Sequence, residues 1–556
     1  MLTLGIGDGH DAGACLLENG KLLAAVSEER LTGRKRQPGF PYAALHWCLE
    51  SIGAKPADVT ALAVAERSGR ALHRLLDARY RRTDPNLPMN RLGNRLSSAV
   101  QNRITAWSAL AAADRRLAEA VLRRRFRRLG FTAPLTLVDH HLAHAMSAAK
   151  GSGFAAALVL TQDAYGDGLS GSVARWSDGR LEFLARIPYP HSPALLYGLT
   201  AALLGFAEGE EGKVAGLAAT GDPRVTRLVF DRLLTHADGV PYLNAPRPFT
   251  ALRRALAGYS PADIAAGLQL SVEANLTRLV EFWLPRAGAD RLCLAGGLFA
   301  NVRLNQILAD AGGARDLFVF PHMGDGGLCA GAGWVVDPAL PTVAMSPFLG
   351  PEAARLPAEA LADEAWTVRP LDAAAVDRAA TAIHAGAAVA LVQGPLEFGP
   401  RALGNRSILF SARSPEIAAR WNRALGRPDI MPFAPVASEA DLPLVTDSPR
   451  RLALEHMTAT VTAREGIAAR FPVAVHADGT MRLQIARPAT TPLLHDLLAA
   501  YSRHMNPAMT INTSFNRHTE PIVAGTDGAL ELFRRLPLAM LLLPGWCLEK
   551  RDGGQP

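Results

Sequence analysis

Two segments of this chain, GIGDGHDAGACLL at residues 5–17 and LVLTQDAYGDGLSGSVA at residues 158–174, look like weak copies of one hairpin. An apolar strand runs into an Asp/Gly turn, and a second strand follows. Short β-like runs alternate with helical stretches around them, which is typical of the α/β class. The repeat therefore predicts a duplicated α/β fold with a ligand cleft between its halves.

The length of the chain requires more than this one unit. A chain of 556 residues is too long for a single compact core, so at least two domains are expected. The segment from Pro338 to Pro357 is dense in proline and breaks both helical and strand periodicity. We place the main linker there, which predicts domains at residues 1–345 and 346–556.

The composition predicts an ordinary globular protein without a membrane partner. Hydrophobic residues make up 49% and charged residues 20%, and no apolar run is long enough to span a bilayer. Asp8 and Asp11 stand where a secretory signal would be apolar. The five cysteines are scattered and lack CxxC spacing, which fits reduced thiols. A cytoplasmic location is expected, and a homodimer is one open assembly.

The net charge of +7 suits an anionic partner, either nucleic acid or small phosphorylated molecules. Much of the excess lies between Arg67 and Arg128, where arginines separate leucines and alanines at helical spacing. Because RNA-binding surfaces usually interleave aromatic side chains, a solvated helical face is favoured and no nucleic-acid partner is expected. A tRNA-binding or tRNA-modifying protein remains the alternative.

The segment VDHHLAHAMSAA places His140 and His144 four residues apart on a predicted helix. This spacing puts both imidazoles on one helical face, where they can bind one divalent metal. Asp163 and Asp325 each follow an apolar strand and are candidates for the remaining ligands. Two histidines with carboxylates suit iron(II), manganese or zinc, whereas capping or core histidines are the alternative.

Two glycine-rich turns, in LCLAGGLFANVRLN and FPHMGDGGLCAGAGW, follow strand-like runs. Glycine lets backbone amides approach phosphate oxygens, and the dipole of a following helix favours the negative charge. A purely structural turn is the alternative for each, and neither turn fits a Walker loop or the GxGxxG fingerprint. The candidate nucleotide contacts are Gly296, Gly297, Asn301, Gly324 and Gly326.

The second predicted domain offers a phosphate site. Arg401 and Arg406 lie five apart in a loop with glycine, proline and asparagine, where two guanidiniums can clamp a phosphate in bidentate fashion. Arg482 lies between strand-like flanks, and a polar turn follows a later apolar run. Solvated surface arginines are the alternative. The polar turn contains Asn512, Thr513, Ser514 and Asn516.

Seven motifs occur in order: HDAGACLL, SEER, DHHLAHA, LAGGLFANVRLN, EFGPRALGNRSIL, DGTMRLQ and NTSFNRHTEPIV. With them, nearly the whole chain resembles the nodulation-type and antibiotic O-carbamoyltransferases. The resemblance implies a first domain of the actin-like ATPase fold, related to the transferase that makes threonylcarbamoyladenosine on tRNA. It implies a second α/β domain related to threonylcarbamoyl-AMP synthase.

In this family the smaller domain makes carbamoyl-AMP from carbamoyl phosphate and ATP, and the larger domain moves the carbamoyl group to a hydroxyl of a small molecule. The resemblance implies an iron-type metal on His140, His144, Asp163 and Asp325, with His10 and Lys35 near the transfer site. Lys213 matches the segment that closes over the nucleotide cleft. The carbamoyl-phosphate and adenylate shell corresponds to Arg401, Arg406, Arg482 and residues 512–516.

The chain departs from the family pattern in NRALGRPDIMPFAP, which begins at Asn422. Arg427 can stand for one basic group of that pattern, but its lysine has no counterpart, and Met431 replaces the arginine before PFAP. A different acyl donor, an adenylation-only activity or a regulatory protein that retains the nucleotide cleft are therefore alternatives.

Overall fold

The structure is a computed structural model that describes residues 1–67, 71–75, 108–207, 209–244, 248–338, 344–427, 433–448 and 450–551. Within these ranges it contains two five-stranded sheets, one eight-stranded sheet and smaller two-stranded pairings. None of the helices in the described part of the chain combines the length and apolarity needed to cross a membrane.

The first sheet has the strand order β3-β2-β1-β4-β5. Strands β1 to β3 pair antiparallel, and β4 and β5 extend the sheet in parallel from β1. Its strands are β1 Leu2–Gly7, β2 Gly13–Glu18, β3 Lys21–Ser27, β4 Ala61–Ala65 and β5 Leu135–Val138. The helices of this half are α1 Glu28–Thr32, α2 Tyr42–Glu50, α3 Ala71–Leu75, α4 Ser108–Arg128 and α5 His140–Gly151.

The second sheet repeats this topology. Its order is β12-β11-β6-β7-β8, again with three antiparallel strands followed by two parallel ones. The strands from β6 onward are β6 Ala156–Gly166, β7 Leu169–Ser177, β8 Arg180–Pro188, the separate pair β9 Leu234–Ala237 and β10 Val240–Leu243, β11 Arg291–Ala295 and β12 Asp316–Val319. The helices are α6 Pro193–Leu203, α7 Glu211–Ala218, α8 Arg227–Leu233, α9 Pro248–Ala255, α10 Pro261–Arg286, α11 Val302–Ala311 and α12 Leu328–Val336.

The matching strand orders confirm the duplication predicted from the two hairpin motifs, with the actin-like fold expected of the first domain. The first copy of the motif forms β1 and β2, and the second forms β6 and β7. Each hairpin thus supplies the first two strands of its sheet and directs its Asp/Gly turn toward the cleft edge.

The remaining chain forms an α/β unit on an eight-stranded mixed sheet of order β14-β24-β23-β15-β17-β22-β18-β21. The strands are β13 Phe348–Glu352, β14 Trp366–Pro370, β15 Val389–Val392, β16 Pro395–Glu397, β17 Arg406–Ser411, β18 Ala434–Ser438, β19 Val461–Thr462, β20 Thr480–Met481, β21 Gln484–Ala486, β22 Met509–Ser514, β23 Met540–Leu543 and β24 Trp546–Lys550. The helices are α13 Ala358–Leu361, α14 Ala373–His384, α15 Pro415–Leu425, α16 Leu442–Val445, α17 Arg451–Glu455, α18 Ile467–Arg470, α19 Pro492–Tyr501 and α20 Thr526–Arg535. The exact division at residues 345 and 346 stays a prediction.

Helices α5 and α12 approach each other very closely. A Cβ added at Gly331 of α12 would lie 1.8 Å from the carbonyl oxygen of Ala143 in α5, so only glycine fits there. This contact fixes the helix that begins with His140 against the helix that follows Asp325.

The C-terminal unit packs directly on the duplicated domain. The Asn305 Nδ2 donates to the carbonyl of Thr458 over 2.7 Å, and the buried Arg30 guanidinium donates to the carbonyl of Gly399 over 2.9 Å. A Cβ at Gly399 would lie 2.8 Å from the carbonyl oxygen of Pro321. The loop that leads into Arg401 therefore rests against the loop that leads into Asp325.

Candidate metal centre and phosphate site

The two histidines of the HxxxH motif lie in the first turns of α5, as their spacing predicts. The Asp139 carboxylate caps this helix by accepting the backbone N–H of Leu142 over 3.0 Å, so the histidines are not needed as caps. The imidazoles of His140 and His144 are buried, with ring centroids 4.7 Å apart.

Asp163 at the end region of β6 and Asp325 just before α12 complete a cluster with the two histidines. The His144 Nε2 lies 3.3 Å from Asp163 Oδ2 and 3.5 Å from Asp325 Oδ1. The His140 Nε2 lies 3.9 and 3.8 Å from the same two oxygens. One ligand atom from each residue falls within 4.8 Å of all the others.

This arrangement fits a divalent cation. Both Nε2 atoms are buried and, although close to the carboxylates, form no well-directed hydrogen bond. Buried polar atoms are rarely left without such a partner. Two imidazole nitrogens and two carboxylate oxygens around one point are a donor set that iron(II), manganese and zinc accept.

The carboxylates and imidazoles of the cluster shift the pKa values of one another. Burial alone would lower the pKa of His140, but the Asp325, Asp163 and Glu66 carboxylates raise that pKa well above its ordinary value. Burial alone would raise the pKa of Asp163, yet the two imidazoles hold it well below the usual range. Positive charge is therefore favoured between these carboxylates, and a metal ion supplies it without protons.

The neighbouring His141 is directed differently. Its Nδ1 lies 2.9 Å from the Thr161 hydroxyl, and burial together with His140 and His144 lowers its pKa well below the ordinary value. A neutral imidazole hydrogen-bonded to a strand is a structural element of the core beneath the cluster.

His10 borders the metal cluster on its open side. The Nδ1 of His10 lies 3.3 Å from Asp325 Oδ2, and the Nε2 lies 3.5 Å from Asp11 Oδ2. The side chain is 50% exposed. The structure thus brings this predicted residue next to a candidate metal ligand, where a small molecule can reach it.

The first glycine-rich turn is engaged with the protein itself. A Cβ at Gly296, whose φ is +110°, would lie 2.2 Å from the carbonyl oxygen of Gln162. The Gly297 N–H donates to Asp163 Oδ2 over 3.0 Å. Asn301 caps α11 and donates to Gln269 over 2.8 Å. This turn therefore orients Asp163 and starts α11, which leaves neither the Gly297 amide nor the Asn301 side chain directed at a phosphate.

The second glycine-rich turn combines packing and open space. A Cβ at Gly326 would lie 2.0 Å from the His322 ring, so this glycine is required by packing. A Cβ at Gly324 would meet no atom within 4 Å. Of the two predicted nucleotide contacts in this turn, only Gly324 borders free volume.

Two predicted lysines lie where the duplicated domain meets the C-terminal unit. The Lys35 ammonium donates to the carbonyl of His518, and Lys213 forms an ion pair with Glu210. The His518 Nε2 lies 3.9 Å from that same Glu210 carboxylate. Sequence reasoning missed His518 as a site residue, although it lies within the motif NTSFNRHTEPIV.

Three arginines of the C-terminal unit form a second cluster. Burial lowers the pKa of Arg401 below its ordinary value. Burial and the charge of Arg401 lower the pKa of Arg427 to about 10, and burial with the charges of Arg401 and Arg427 lowers the pKa of Arg482 well below its ordinary value. Among the described residues, no carboxylate lies within ion-pair distance of the three. Uncompensated positive charge in a partly buried site is typical of anion binding.

Arg427 also connects this arginine cluster to the polar turn. Its guanidinium donates to the hydroxyls of Thr513 and Ser514. The structure therefore brings together Arg401, Arg427 and Arg482 with two of the four polar residues predicted beside them. Met431, the residue that departs from the family pattern, lies outside the described residues.

Asn512 and Asn516 use their amide nitrogens within the fold. The Asn512 Nδ2 donates to Gln484 Oε1 over 2.6 Å, and the Asn516 Nδ2 donates to the carbonyls of Arg517 and Glu520 over 2.7 Å. Their Oδ1 atoms are buried without a hydrogen-bond partner. Both residues thus shape the polar turn, and only an oxygen of each is available to a donor.

Arg406, which was predicted to clamp a phosphate together with Arg401, lies in a different environment. Its side chain is completely buried, and its guanidinium donates only into the fold. The acceptors are the carbonyl oxygens of Pro351, Gln393, Gly394, Asn405 and Ala524. With its donors directed at backbone oxygens, Arg406 secures the loop that carries Arg401.

Comparison with known proteins places this geometry in a family. Residues 3–334 match the model described as "Carbamoyltransferase N-terminus", and residues 380–550 match "Carbamoyltransferase C-terminus". Nodulation protein NolNO of Sinorhizobium fredii is 31% identical over 98% of this chain and 79% of its own length. The 3'-hydroxymethylcephem-O-carbamoyltransferase of Streptomyces clavuligerus is 31% identical over 55% of this chain and 58% of its own length.

Solved structures are more distant. The activator of 2-hydroxyisocaproyl-CoA dehydratase from Clostridium difficile aligns with a TM-score of 0.33 and 13% identity, over 61% of this chain and 96% of its own. HypF of T. kodakarensis aligns with a TM-score of 0.30 and 14% identity, over 61% of this chain and 47% of its own.

The two family models cover most of the chain on both sides of the predicted linker. The chain therefore belongs to the carbamoyltransferase family and is a transferase.

Proposed function

We propose that this chain is an ATP-dependent O-carbamoyltransferase with two successive reactions. The C-terminal unit forms carbamoyl-AMP from carbamoyl phosphate and ATP, and the duplicated domain transfers the carbamoyl group to a hydroxyl of a small molecule. The observation that supports this most is the cluster of Arg401, Arg427 and Arg482, three guanidiniums without a carboxylate partner among the described residues, next to the cleft of the duplicated domain.

In the first reaction, water cleaves carbamoyl phosphate to carbamate and phosphate. A carbamate oxygen then bonds to the α-phosphorus of ATP, and the bond to pyrophosphate breaks. Both steps concentrate negative charge on phosphoryl oxygens, and preorganised guanidiniums stabilise such charge. Arg427 is held by two hydroxyls and is therefore oriented before a ligand arrives.

In the second reaction, the acceptor oxygen bonds to the carbamoyl carbon and AMP leaves. The exposed imidazole of His10 is the proposed base that takes the proton of the acceptor hydroxyl. His140, His144, Asp163 and Asp325 would hold a divalent metal, iron(II), manganese or zinc. When bound, that metal supplies positive charge and Lewis acidity beside the phosphate and carbonyl of the adenylate.

Contacts between the domains support one enclosed reaction space. Arg401 donates to the carbonyl of Ala300 in the first glycine-rich turn over 3.5 Å, while Arg30 binds the carbonyl of Gly399. Lys35 contacts His518 beside the arginine cluster. Since a free carbamoyl adenylate is open to hydrolysis, we propose that it passes internally along these residues.

The acceptor is proposed to be a small molecule such as a natural product or a sugar. The related cephem enzyme carries O-carbamoyltransferase in its name, and the exposed side of the metal cluster at His10 is open to such a molecule. The proposed partners are thus ATP, carbamoyl phosphate and this acceptor.

The test is pyrophosphate release from ATP by the full-length protein with iron(II), with and without carbamoyl phosphate. We expect release that depends on carbamoyl phosphate in the wild type and falls at least ~100-fold in Arg401→Ala, because a charged phosphate contact is lost. The control is Arg503→Ala, which removes an exposed arginine paired with Asp377. Release that does not depend on carbamoyl phosphate would indicate hydrolysis of ATP, and absence of release would favour another acyl donor; either outcome would overturn the proposed first reaction.

A further inference from the structure

Glu66, directly after β4, has an unusual backbone conformation. Its φ is +62°, in the left-handed region that non-glycine residues seldom occupy. Its side chain is nevertheless buried, with only 5% of the residue exposed. A strained residue with a buried carboxylate persists only where its surroundings determine it, and such residues concentrate at functional sites.

The Glu66 carboxylate faces the candidate metal centre from behind. Its Oε1 lies 3.3 Å from the Nδ1 of His140, close enough for an ion pair although not a well-directed hydrogen bond, and on the opposite side of the ring from the Nε2 that faces Asp163 and Asp325. Histidines that bind metals usually engage a carboxylate or carbonyl through their second nitrogen, which fixes the tautomer and the ring orientation.

Buried ionic contacts hold Glu66 from one side. The Arg74 guanidinium donates to the carbonyls of Ala65 and Glu66 over 3.2 and 3.0 Å. The same guanidinium forms a buried bidentate pair with Asp8, at 2.8 and 3.0 Å. The turn that carries Glu66 is therefore tied to the first hairpin of the chain.

Asp167 holds the turn from the other side. Its Oδ2 accepts the backbone N–H of Arg67 over 3.1 Å and that of His140 over 2.9 Å. The Arg67 side chain then reaches Asp139, the cap of α5, over 2.9 Å. One carboxylate thus joins the residue after Glu66 to the first residue of the histidine helix.

We propose that Glu66 is a positioning residue for His140, holding its Nδ1 so that its Nε2 is presented to the divalent cation. The inference rests on the proposed metal centre. It also accounts for the strain, because relaxing φ at position 66 would withdraw the carboxylate from the imidazole. Asp8, Arg74 and Asp167 maintain the strained turn.

The test measures metal affinity and not activity. Cobalt(II) and zinc(II) are titrated into metal-free full-length protein, with a competing chelator dye and the cobalt absorption spectrum as readouts. Glu66→Gln and Glu66→Gly are each expected to weaken the affinity about 10- to 100-fold and to change the cobalt spectrum. Glu66→Gly relieves the left-handed strain, so its metal-free form is expected to unfold at no lower temperature than the wild type.

The matched control is Asp178→Gly, which relieves a similar φ of +51° in the turn between β7 and β8. It is expected to leave the metal affinity unchanged. His140→Ala should abolish binding and so locate the ion. If the wild type does not bind cobalt(II) or zinc(II), the metal centre itself is overturned. If both Glu66 variants bind the metal as tightly as the wild type, only the proposed role of Glu66 is overturned. If Glu66→Gln does not fold, Glu66→Gly alone decides.

Discussion

Among the described residues, the guanidiniums of Arg401, Arg427 and Arg482 have no carboxylate partner, so their mutual repulsion destabilises the ligand-free protein. Burial and mutual repulsion lower the pKa of Arg482 well below its ordinary value. We therefore predict that Arg482→Met raises the free energy of unfolding of the ligand-free protein by about 1 kcal/mol while weakening pyrophosphate binding at least tenfold. Thermal unfolding with and without pyrophosphate measures both effects.

The control for this prediction is Arg378→Met, which removes an arginine that is paired with Glu549. It should leave pyrophosphate binding unchanged and should not stabilise the protein. Loss of stability in Arg482→Met without loss of binding would show that the guanidinium serves the fold.

Arg406 leads to the opposite expectation. Its guanidinium donates to five carbonyls in a completely buried position, so Arg406→Lys loses several charge-assisted hydrogen bonds. We predict a loss of about 3 kcal/mol in the free energy of unfolding, measured in urea. In the folded protein, the KM for carbamoyl phosphate should change less than in Arg401→Lys. An equal rise of KM in both variants would return Arg406 to the phosphate site.

Arg401 and Arg406 also mark what single-residue reasoning could predict. The loop composition predicted Arg401 and Arg406 as a phosphate clamp, and the structure brings only Arg401 into the arginine cluster. The spacing could not distinguish them, because the direction of each side chain depends on the start of β17 at Arg406 and on carbonyls from residues 351 and 524, far away in the sequence.

At the scale of elements, we expect the contact between α5 and α12 to hold the candidate metal centre in place. Gly331→Ala would place a methyl group against the backbone at Ala143, next to His144. We predict a loss of about 3 kcal/mol in stability from overpacking, together with weaker metal binding, since the helices must separate. Chemical unfolding and cobalt titration measure the two effects.

The control is Gly198→Ala in α6, where an added Cβ meets no atom within 4 Å. Because alanine favours helix over glycine, we expect about 0.5–1 kcal/mol of stabilisation and unchanged metal affinity. A Gly331→Ala protein as stable as the wild type would show that the two helices separate without cost.

Element patterns explain why the four residues of the candidate metal centre could be expected to lie together, and why Glu66 beside them could not be predicted. Helical spacing brought His140 and His144 to one face, and the ends of apolar strands located Asp163 and Asp325. Glu66 escaped because a positive φ at a glutamate has no sequence signal. Asn301 was expected to contact nucleotide, yet an asparagine just before an apolar helical pattern also indicates a helix cap, which is the role it has here.

At the scale of the whole molecule, acid should weaken the contact between the two units. His456, after α17, packs edge-on against Phe318 of β12 at 6.0 Å, and burial lowers its pKa to about 4. The unfolded chain, with a histidine pKa near 6.5, binds more protons between these values, so stability is lost as pH falls from about 6.5 to 4.

His456→Leu should therefore flatten this pH dependence. Between pH 7 and pH 5, the free energy of unfolding should fall by about 2 kcal/mol less in the variant than in the wild type. Urea unfolding at both pH values provides the measurement, with His495→Leu, at a partly exposed histidine, as the control. Equal slopes in wild type and His456→Leu would mean that His456 is protonated in the folded protein.

The proposed internal passage predicts that the intact chain outperforms its parts. Residues 1–345 and 346–556, expressed separately and mixed, should transfer carbamoyl groups to the acceptor far more slowly than the intact chain at equal concentration. Pyrophosphate release by residues 346–556 should be less affected. Equal transfer rates would show that the adenylate diffuses through solvent.

The duplicated fold was predictable from the hairpin repeat, but the docking of Asn305 on Thr458 depends on tertiary contacts that no local pattern specifies.

The duplication has a mechanical consequence for the metal centre. The helix that begins with His140 packs on the second sheet, where Asp163 lies on β6, whereas Asp325 directly precedes α12, which packs on the first sheet. An ion held by all four residues would therefore link elements that pack on both sheets, and its affinity would depend on the relative position of those elements. Any rotation of one sheet against the other, including one that accompanies nucleotide entry into the cleft, would then raise or lower the affinity for the ion.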